Sequence, residues 1–248
     1  MAGRGTRFSD LDPGRPKPLV SLHGPPLVQW VVENLRSRNS QKFIFVCQSS
    51  HVQEFDLHDW FRKFDVKFEI AKVEGVTRGA ACSALLAGQY VTEGEVVFAN
   101  SDQYIDFSMD QFIDDCHKRQ LDGSLVSMTA TGSKWSYVKT DAKDLVIDVK
   151  EKIAISDIAT TGVYYFREWE LFKNAAEKMI SLNDTYNEEF YLAPVYNYLL
   201  KNNRISHFPI GKNEKEMIGL GTKEDFLRFE KDPISLEVKD RLFLREKK

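Results

Sequence analysis

The first residues of the sequence form a glycine-rich segment that ends in an arginine. Gly3, Gly5 and Arg7 recur at every second position. Glycines allow backbone N–H groups to approach a phosphate closely, and an arginine adds a planar donor that can bind two phosphate oxygens. Phe8 stands where the dinucleotide fingerprint has its third glycine, and no Gly-Lys-Ser/Thr follows as it does in a P-loop. The segment predicts a phosphate-binding loop, with a simple glycine turn as the alternative.

Two further charged residues stand where the chain restricts their position. Lys17 lies between Pro16 and Pro18, which keep the segment extended and exclude a helix. Its ammonium could neutralise a triphosphate or a leaving pyrophosphate. Asp102 follows the apolar run 96–99, and a carboxylate at the end of a buried strand is well placed to hold a divalent cation such as Mg²⁺. The alternatives are an exposed loop lysine and an aspartate that caps a turn.

These features need elements that bring them to one edge of a sheet. Short apolar runs alternate with amphipathic stretches, which is typical of parallel βαβ units covered by helices on both faces. Ligands of such sheets bind outside the carboxyl ends of the strands. Three later strands in quick succession predict an antiparallel excursion. We expect strands at 42–47, 66–73, 96–99, 124–131, 135–140, 145–150, 162–166 and 204–210, and helices from 24, at 51–63, 79–90, 109–120, 168–182 and 188–201, and from 222.

The predicted fold is a single α/β domain, a Rossmann-like three-layer sandwich with a mixed, mostly parallel sheet. A glycine-rich loop of this kind normally follows a buried strand, and no strand precedes Gly3 in this sequence. Either the strand is lost, or the chain starts late, or the loop has another role. We expect a truncated first strand.

The composition excludes several classes of protein. The 248 residues include 34 lysines and arginines against 37 aspartates and glutamates, a net charge of −3, which provides no basic field for nucleic acid. The apolar runs are far shorter than the ~20 residues of a membrane span, and charged residues interrupt any signal peptide. The three cysteines have no metal-type spacing and suit a reducing compartment. We expect a cytoplasmic protein without nucleic-acid or membrane partners; a homo-oligomer is possible.

A series of motifs, taken in order, resembles one family. The sequence resembles the sugar-phosphate nucleotidylyltransferases of the GT-A-like fold, which include the NDP-sugar pyrophosphorylases. The match makes residues 1–230 the nucleotidylyltransferase domain and leaves 231–248 as a charged C-terminal tail or helix. The motifs are G-x-G-x-R at 3–7, P-K-P-L at 16–19, G-A-A-C-S-A-L at 79–85, N-S-D at 100–102, E-K at 151–152, T-G-V-Y at 161–164, N-E-E-F-Y at 187–191 and G-L-G-T-K-E-D at 219–225.

The resemblance implies a reaction and a set of site residues. An acceptor phosphate, most often that of a sugar 1-phosphate, attacks the α-phosphorus of an NTP in line, and pyrophosphate leaves. The cofactor is Mg²⁺, no protein nucleophile is required, and the products feed surface or capsular polysaccharide assembly. The implied catalytic residues are Arg7, Lys17 and Asp102, of which Asp102 is also the metal ligand. The implied nucleotide-binding residues are Ala2, Gly3, Gly5, Thr6, Arg7 and Gly79. The implied acceptor-binding residues are Glu151, Lys152, Gly162 and Glu189.

A few positions depart from the family pattern. Gly219 stands where the family usually has a second carboxylate. Asp102 would then be the sole protein carboxylate at the metal, unless Glu214 or Glu216 substitutes for it. Two motif prolines are replaced, by Ile153 and Lys223, and we expect both changes to be tolerated.

Two alternative functions are consistent with the residues. A GT-A-type glycosyltransferase would use a nucleotide sugar, but that class normally has Asp-x-Asp where this chain has Asn100-Ser101-Asp102. It would also leave Lys17 and the glycine loop unexplained. A catalytically impaired paralogue would bind nucleotide only, as Gly219 and the late start favour. The sequence does not identify the base of the nucleotide, and the acceptor can be a hexose, heptose or non-sugar phosphate.

Overall fold

The structure, a computed structural model, describes residues 15–91, 93–211 and 216–244. Strands and helices alternate along them much as the sequence predicts. The strands are β1 (Lys42–Gln48), β2 (Lys67–Val73), β3 (Val96–Ala99), β4 (Gln103–Ile105), β5 (Gly123–Thr129), β6 (Ser136–Thr140), β7 (Val146–Glu151), β8 (Ile158–Phe166), β9 (Ile205–Pro209) and β10 (Met217–Gly219). The α-helices are α1 (Leu27–Asn34), α2 (Ser49–Glu54), α3 (Leu57–Arg62), α4 (Ala80–Leu85), α5 (Met109–Lys118), α6 (Trp169–Ser181), α7 (Lys223–Lys231) and α8 (Ile234–Phe243). No helix among these residues has the length and apolar character that a membrane span requires.

The largest sheet has six strands and forms the centre of the fold. Its pairing order is β7-β6-β8-β5-β9, and β3 also pairs with β8. β8 runs antiparallel to β3, β5 and β6, whereas β5 and β9 are parallel. The strands β3, β5, β6 and β9 therefore share one direction, and the predicted single α/β domain with a mixed sheet is confirmed. The amide of Asn197 covers the outer edge of β7, because it bonds the N–H and C=O of Val149 at 2.9 and 2.8 Å.

Two smaller sheets flank the six-stranded one. β1 and β2 are parallel, with Lys42 opposite Lys67. β4 and β10 are antiparallel, with Gly219 opposite Gln103. The sequence patterns predict neither β4 nor β10, because three residues are too few to show a period of two. Among the described residues, no backbone pairing joins β1 to β3.

An aromatic cluster fixes the position of β3. The ring of Phe98 lies 4.3 Å from that of Phe172 on α6 and 5.8 Å from that of Phe166 on β8. Phe166 and Phe172 are fully buried. Since aromatic side chains contribute much of the burial in a core, this packing anchors the strand that leads to Asp102.

The C-terminal helix α8 packs against the domain. Val238 and Leu242 are buried in one cluster with Trp30 of α1 and Phe229 of α7. Leu236, on another face of the helix, is 52% exposed. The apolar residues of this helix are therefore divided between the core and the surface.

The predicted helix at 188–201 is wrong. Tyr186 and Glu189 instead pair across a two-residue turn through two backbone hydrogen bonds of 3.0 Å, and a 3₁₀ helix follows. The two turn residues, Asn187 and Glu188, have positive φ angles of 48° and 64°. That backbone conformation is incompatible with a right-handed helix.

Candidate active site

A cavity of 580 Å³ lies between β1 and β3. Its walls are the facing parts of those strands, the start of α4 and the loop that follows β3. Gly79, Asp102 and Glu189 all line it. These three residues carry the predicted nucleotide, metal and acceptor roles, so the fold brings one residue of each predicted part to this cavity. Its described lining does not include Lys17, Glu151, Lys152 or Gly162.

Lys17 and Asp102 form an ion pair at the metal end of the site. The Lys17 ammonium donates hydrogen bonds to the Asp102 carboxylate and, at 2.9 Å, to the carbonyl of Gly221. The lysine side chain is 12% exposed and the aspartate side chain 35%. Pro16 leads into a 3₁₀ turn whose Leu19 is buried in the core. The backbone at Lys17 is thereby fixed. The predicted extended segment is wrong, because Lys17–Leu19 forms a short 3₁₀ helix, in whose first turn Pro18 is tolerated.

The small sheet of β4 and β10 holds Asp102. The N–H of Leu220 donates to the Asp102 carbonyl at 2.8 Å, and Leu220 is fully buried. Because side chains alternate along an extended chain, Gly219 and Gly221 face away from that core, and Gly221 lies beside Lys17 and Asp102. A Cβ at Gly221 would lie 3.5 Å from Oδ2 of Asp102, and one at Gly219 would meet no atom within 4 Å. The two glycines therefore leave space beside the ion pair.

Asp102 belongs to no multi-residue metal site of the described residues. Within them, no three His, Cys, Asp or Glu side chains are grouped to hold a metal ion. Glu216, one predicted substitute for the second carboxylate, lies at the other end of β10, where its carbonyl accepts from the N–H of Asp106 at 2.7 Å and its side chain packs on Gly211. Glu214 lies outside the described residues. A metal at Asp102 would need further ligands from a substrate or from water.

Gly79 occupies a position that only glycine can accommodate. Its φ is 116°, and a Cβ would lie 2.5 Å from the carbonyl oxygen of Phe190. Backbone hydrogen bonds join the two segments here. The Phe190 N–H donates to the carbonyl of Arg78 at 2.8 Å, and the Ala81 N–H donates to the carbonyl of Phe190 at 3.0 Å. Gly79 therefore joins the predicted nucleotide-binding wall to the segment that carries Glu189.

On the acceptor side, Glu151 is buried in a polar cluster. It ends β7 opposite Ser136 of β6, whose hydroxyl donates to the Glu151 carboxylate. The hydroxyl of Tyr164, 3.0 Å from that of Thr160, belongs to the same cluster. Burial raises the pKa of Glu151, and the Ser136 hydrogen bond and the charge of Lys152 offset this only in part.

Lys152 follows Glu151 in the left-handed backbone region, with φ of 54°. Its N–H donates to the carbonyl of Trp135 at 2.9 Å, and its ammonium donates to the hydroxyl of Tyr191 at 2.8 Å. The ammonium also lies 4.6 Å from the ring centre of Tyr191 and 5.4 Å from that of Tyr186, within the range of cation–π attraction. Burial by itself would lower the pKa of Lys152, but the hydrogen bond and the neighbouring acidic groups raise it. The ammonium is therefore charged at neutral pH.

Gly162 joins the acceptor side to the loop that carries Asp102. Its φ is 86°, and a Cβ would lie 2.3 Å from Nδ2 of Asn100. The Asn100 N–H donates to the Gly162 carbonyl at 3.3 Å, and the Asn100 amide donates to Gln103 at 3.3 Å. A side chain at position 162 would therefore displace the loop before Asp102.

Some predicted site residues lie outside the described part of the chain, and some residues at the site are not among those that the sequence predicts. Thr77 and Ser83 line the cavity with hydroxyl oxygens 2.6 Å apart, and Ser136 and Tyr191 contact predicted acceptor residues. Thr77 and Ser83 stand close in sequence to Gly79, and Ser83 and Tyr191 lie within quoted motifs, whereas Ser136 comes from a strand that carries no predicted site residue. Only the fold brings these segments together. The roles of Ala2, Gly3, Gly5, Thr6 and Arg7 stay predictions because these residues lie outside the described ranges.

A Ser–His–Asp chain of hydrogen bonds lies elsewhere in the sheet. Ser127 Oγ is 2.6 Å from Nδ1 of His207, and Nε2 of His207 is 2.9 Å from Oδ1 of Asp144. The order of residue types resembles a hydrolase triad, but Ser127 is 1% exposed and cannot receive a substrate. Asp144 belongs to the turn between β6 and β7, so these hydrogen bonds fasten that turn to β9.

Comparisons with known proteins point to one family. The model of the nucleotidyl transferase family matches residues 1–205. A D-glycero-α-D-manno-heptose 1-phosphate guanylyltransferase of Campylobacter jejuni is 23% identical over 92% of this chain and 95% of its own. The crystal structure of a nucleoside-diphosphate-sugar pyrophosphorylase from Vibrio cholerae matches with a TM-score of 0.81 at 26% identity, covering 94% of this chain and 98% of that one.

A more distant structure shows how widely the fold is shared. The inositol-1-phosphate CTP transferase from T. maritima matches with a TM-score of 0.67 at 17% identity, covering 97% of this chain and 93% of that one. The family match covers most of this chain and includes β1 to β8 with the cavity between β1 and β3. The resemblance predicted from the motifs is confirmed, and the chain belongs to the nucleotidyl transferase family.

Proposed function

We propose that the protein transfers a nucleoside monophosphate from an NTP to a sugar 1-phosphate and releases pyrophosphate. The observation that carries this proposal is that Gly79, Asp102 and Glu189, from three separate segments, line one cavity. Two similar proteins point to the same class of reaction, since one is named a heptose 1-phosphate guanylyltransferase and the other a nucleoside-diphosphate-sugar pyrophosphorylase.

The reaction needs no protein nucleophile. An oxygen of the acceptor phosphate forms a bond to the α-phosphorus, and the bond from that phosphorus to the bridging oxygen of the β-phosphate breaks. The electron pair leaves with pyrophosphate. Catalysis of such a transfer consists mainly of positioning and of neutralising negative charge. The nucleotide would lie along Gly3–Arg7 with its base toward Gly79, and Arg7 and Lys17 would neutralise its phosphates.

Asp102 offers the type of donor that Mg²⁺ prefers. Mg²⁺ is commonly held by one or two carboxylates together with substrate phosphates and water, and the Asp102 carboxylate is 35% exposed. When bound, the ion would neutralise phosphate charge. In the absence of nucleotide, Lys17 already neutralises this carboxylate. We expect metal binding to require the nucleotide, whose phosphates would attract the lysine and add oxygen ligands.

The acceptor side favours a sugar phosphate over a choline-type phosphate. Quaternary ammonium groups are recognised by cages of aromatic rings. Here the rings of Tyr186 and Tyr191 already hold an ammonium of the chain itself, that of Lys152. The lysine suits the acceptor phosphate, and the carboxylates of Glu151 and Glu189 suit the hydroxyl groups of a sugar.

A second candidate function, nucleotide binding without catalysis, is favoured by Gly219. A single carboxylate at the metal end weakens metal binding, and the space beside Gly219 is where another side chain would fit. The family match favours transfer of a nucleotidyl group over glycosyl transfer.

We infer that the reaction takes place in the cytoplasm and supplies an activated sugar for surface polysaccharide. All three cysteines are free thiols, and Cys47 and Cys116 are buried, which suits a reducing compartment. The possible homo-oligomer and the domain boundary at residue 230 also stay predictions.

The direct test is a matrix of substrates. The protein is incubated with Mg²⁺, each NTP and a panel of hexose and heptose 1-phosphates, and the release of pyrophosphate is followed. We expect pyrophosphate with one preferred pair and none from NTP alone. Asp102→Asn should lose this activity, whereas Asp114→Asn, at an exposed aspartate paired with Arg38, should keep it.

The outcomes separate the candidate functions. Pyrophosphate formed together with a nucleotide sugar supports the transferase. Tight NTP binding without pyrophosphate for any acceptor supports the binding protein and contradicts the transferase. Cleavage of a nucleotide sugar with transfer of its sugar supports a glycosyltransferase.

A further inference from the structure

We propose that Tyr191 is a positioning residue of the acceptor site, which holds the Lys152 ammonium where the acceptor phosphate binds. The inference rests on the proposed function and adds a residue to it. The hydroxyl of Tyr191 accepts a hydrogen bond of 2.8 Å from Lys152, and the ring of the same residue lies 4.6 Å from the ammonium. One side chain thus contacts the cation with both its polar and its aromatic parts.

A lysine needs such support to act as a fixed phosphate ligand. Its side chain has four rotatable bonds, and free rotation would spread the ammonium over many positions. The hydroxyl of Tyr191 contacts the ammonium at one point, and the ring of Tyr186, at 5.4 Å, contacts it from a second direction. The two tyrosine rings are nearly perpendicular, with centres 6.2 Å apart. The ammonium therefore has one favoured place.

The backbone that presents the tyrosines is itself fixed. Tyr186 and Glu189 close a two-residue turn with two hydrogen bonds of 3.0 Å. Phe190, next to Tyr191, is 1% exposed, and its backbone bonds the segment on either side of Gly79. Tyr191 is thus anchored one residue away from the core, and its position does not depend on a bound substrate.

Tyr191 also links two predicted acceptor residues. Its oxygen accepts from Lys152, so its proton is available to the Glu189 carboxylate, which lies beside it. Glu189 lines the cavity. The burial of Tyr191 raises the pKa of its hydroxyl, which Lys152 lowers and Glu189 raises, so the hydroxyl keeps its proton at neutral pH. A cation and an anion therefore lie close to one tyrosine hydroxyl, which suits a ligand with both a phosphate and hydroxyl groups.

The test compares Tyr191→Phe with Tyr186→Phe. Both variants keep the aromatic ring, but only the first removes a hydroxyl that bonds the ammonium. We expect Tyr191→Phe to raise KM for the sugar 1-phosphate about tenfold, the scale of a lost hydrogen bond to a charged group. The values of kcat and of KM for NTP should stay within about twofold of wild type. Tyr186→Phe keeps its ring against the ammonium and should raise the acceptor KM less than Tyr191→Phe does.

A double-mutant cycle of Tyr191→Phe with Lys152→Ala distinguishes a positioning role of Tyr191 from a structural one. If Tyr191 acts through the lysine, Tyr191→Phe should have little further effect on the acceptor KM once Lys152 is removed. An undiminished tenfold effect in that background would overturn the proposal. Equal rises in the KM of both substrates would overturn it too, because that pattern indicates general disruption.

A second measurement needs no turnover. The titration of the Lys152 side chain is followed by NMR in protein with labelled lysine, with Lys152→Arg used to assign the signal. Because the Tyr191 hydroxyl raises the pKa of Lys152, Tyr191→Phe should move the titration to lower pH, and Tyr186→Phe should move it less. An unchanged titration overturns the positioning role. If the wild type releases no pyrophosphate, the proposed reaction is contradicted, but the titration still tests whether Tyr191 holds the Lys152 ammonium.

Discussion

The proposed nucleotide side and the proposed acceptor side of the site are built in different ways. On the nucleotide side, Lys17 and Asp102 neutralise each other beside Gly219, where a Cβ would meet no atom within 4 Å. On the acceptor side, Glu151 and Lys152 are each bonded to a neighbouring hydroxyl group. One side consists of a charge pair next to open space, and the other is a connected polar cluster.

This difference indicates when each side becomes complete. Groups that are already held in place bind a ligand at lower cost, so we infer that the proposed acceptor side is formed before its substrate arrives. On the nucleotide side, Lys17 has to exchange a carboxylate for a phosphate. We infer that the nucleotide, together with its metal ion, completes that side.

Removal of the Lys17 ammonium should have the largest effect. In Lys17→Ala we expect kcat for pyrophosphate release to fall about 10²–10³-fold, as when other groups that stabilise transition-state charge are removed. Lys173→Ala is the matched control, because Lys173 is a half-exposed lysine on α6 that pairs with Glu170. A kcat for Lys17→Ala within about threefold of wild type would show that the lysine is not catalytic.

Substitutions at two glycines should distinguish a tightly packed position of the site from an open one. Gly79→Ala should lower the free energy of unfolding by about 2–4 kcal/mol, because its Cβ meets the Phe190 backbone and its φ is 116°. Gly219→Ala should change it by less than about 1 kcal/mol, because space is available there. Denaturant unfolding measures both values, and losses of equal size would contradict the contrast.

The metal end can be strengthened by one substitution. Gly219→Asp adds a carboxylate at an open position opposite Gln103, the residue that follows Asp102. We expect nucleotide-free Gly219→Asp to bind Mn²⁺ about tenfold more tightly than the wild type, because a second carboxylate adds a charged oxygen ligand. Gly219→Asn is the neutral control.

Electron paramagnetic resonance of free Mn²⁺ measures this binding. In the wild type, binding should become strong only when a non-hydrolysable NTP analogue is present, and Asp102→Asn should weaken it. If the wild type without nucleotide binds one Mn²⁺ as tightly as it does with the analogue, the inferred role of Lys17 is wrong.

Protonation of Glu151 should have the smallest effect on activity, and this effect should be confined to the KM for the sugar 1-phosphate. Burial raises its pKa above that of an ordinary glutamate, so on acidification its carboxylate takes up a proton before exposed carboxylates do. We expect the KM for the sugar 1-phosphate to rise about threefold or more as the pH falls through that raised pKa. In Glu151→Gln this KM should be higher at neutral pH and nearly independent of pH, and a KM for NTP that follows the same profile would contradict the assignment.

The same group affects stability with a defined sign. Because the pKa of Glu151 is higher in the folded than in the unfolded protein, its contribution to stability is present below the ordinary glutamate pKa. That contribution is lost as the pH rises through the raised value. Glu151→Gln has no such loss, so its stability relative to the wild type should increase with pH across that range.

The sequence predicts most of the fold because its strands and helices have clear periods. The helix predicted at 188–201 is wrong for a physical reason. Its apolar residues are spaced as in a helix, but Asn187 and Glu188 adopt positive φ angles, and Pro194 follows. β4 and β10 have three residues each, too few for any pattern to identify them.

The candidate site is predicted in part for a similar reason. Motifs identify Lys17, Asp102 and Glu151 because their types and order are distinctive. They do not show that Lys17 pairs with Asp102, since these residues are 85 positions apart, or that Tyr191 holds Lys152. Such contacts depend on how separate segments pack together.

The central claim is that a nucleotidyl group passes directly from NTP to a sugar 1-phosphate. Incubation with NTP labelled in the α-phosphate tests it, because that phosphorus is the atom under attack. We predict that the label is recovered in a nucleotide sugar, with one pyrophosphate released for each, and that Lys17→Ala loses both products together. Label that stays in NTP with every acceptor, or that becomes attached to the protein, would contradict the proposed function.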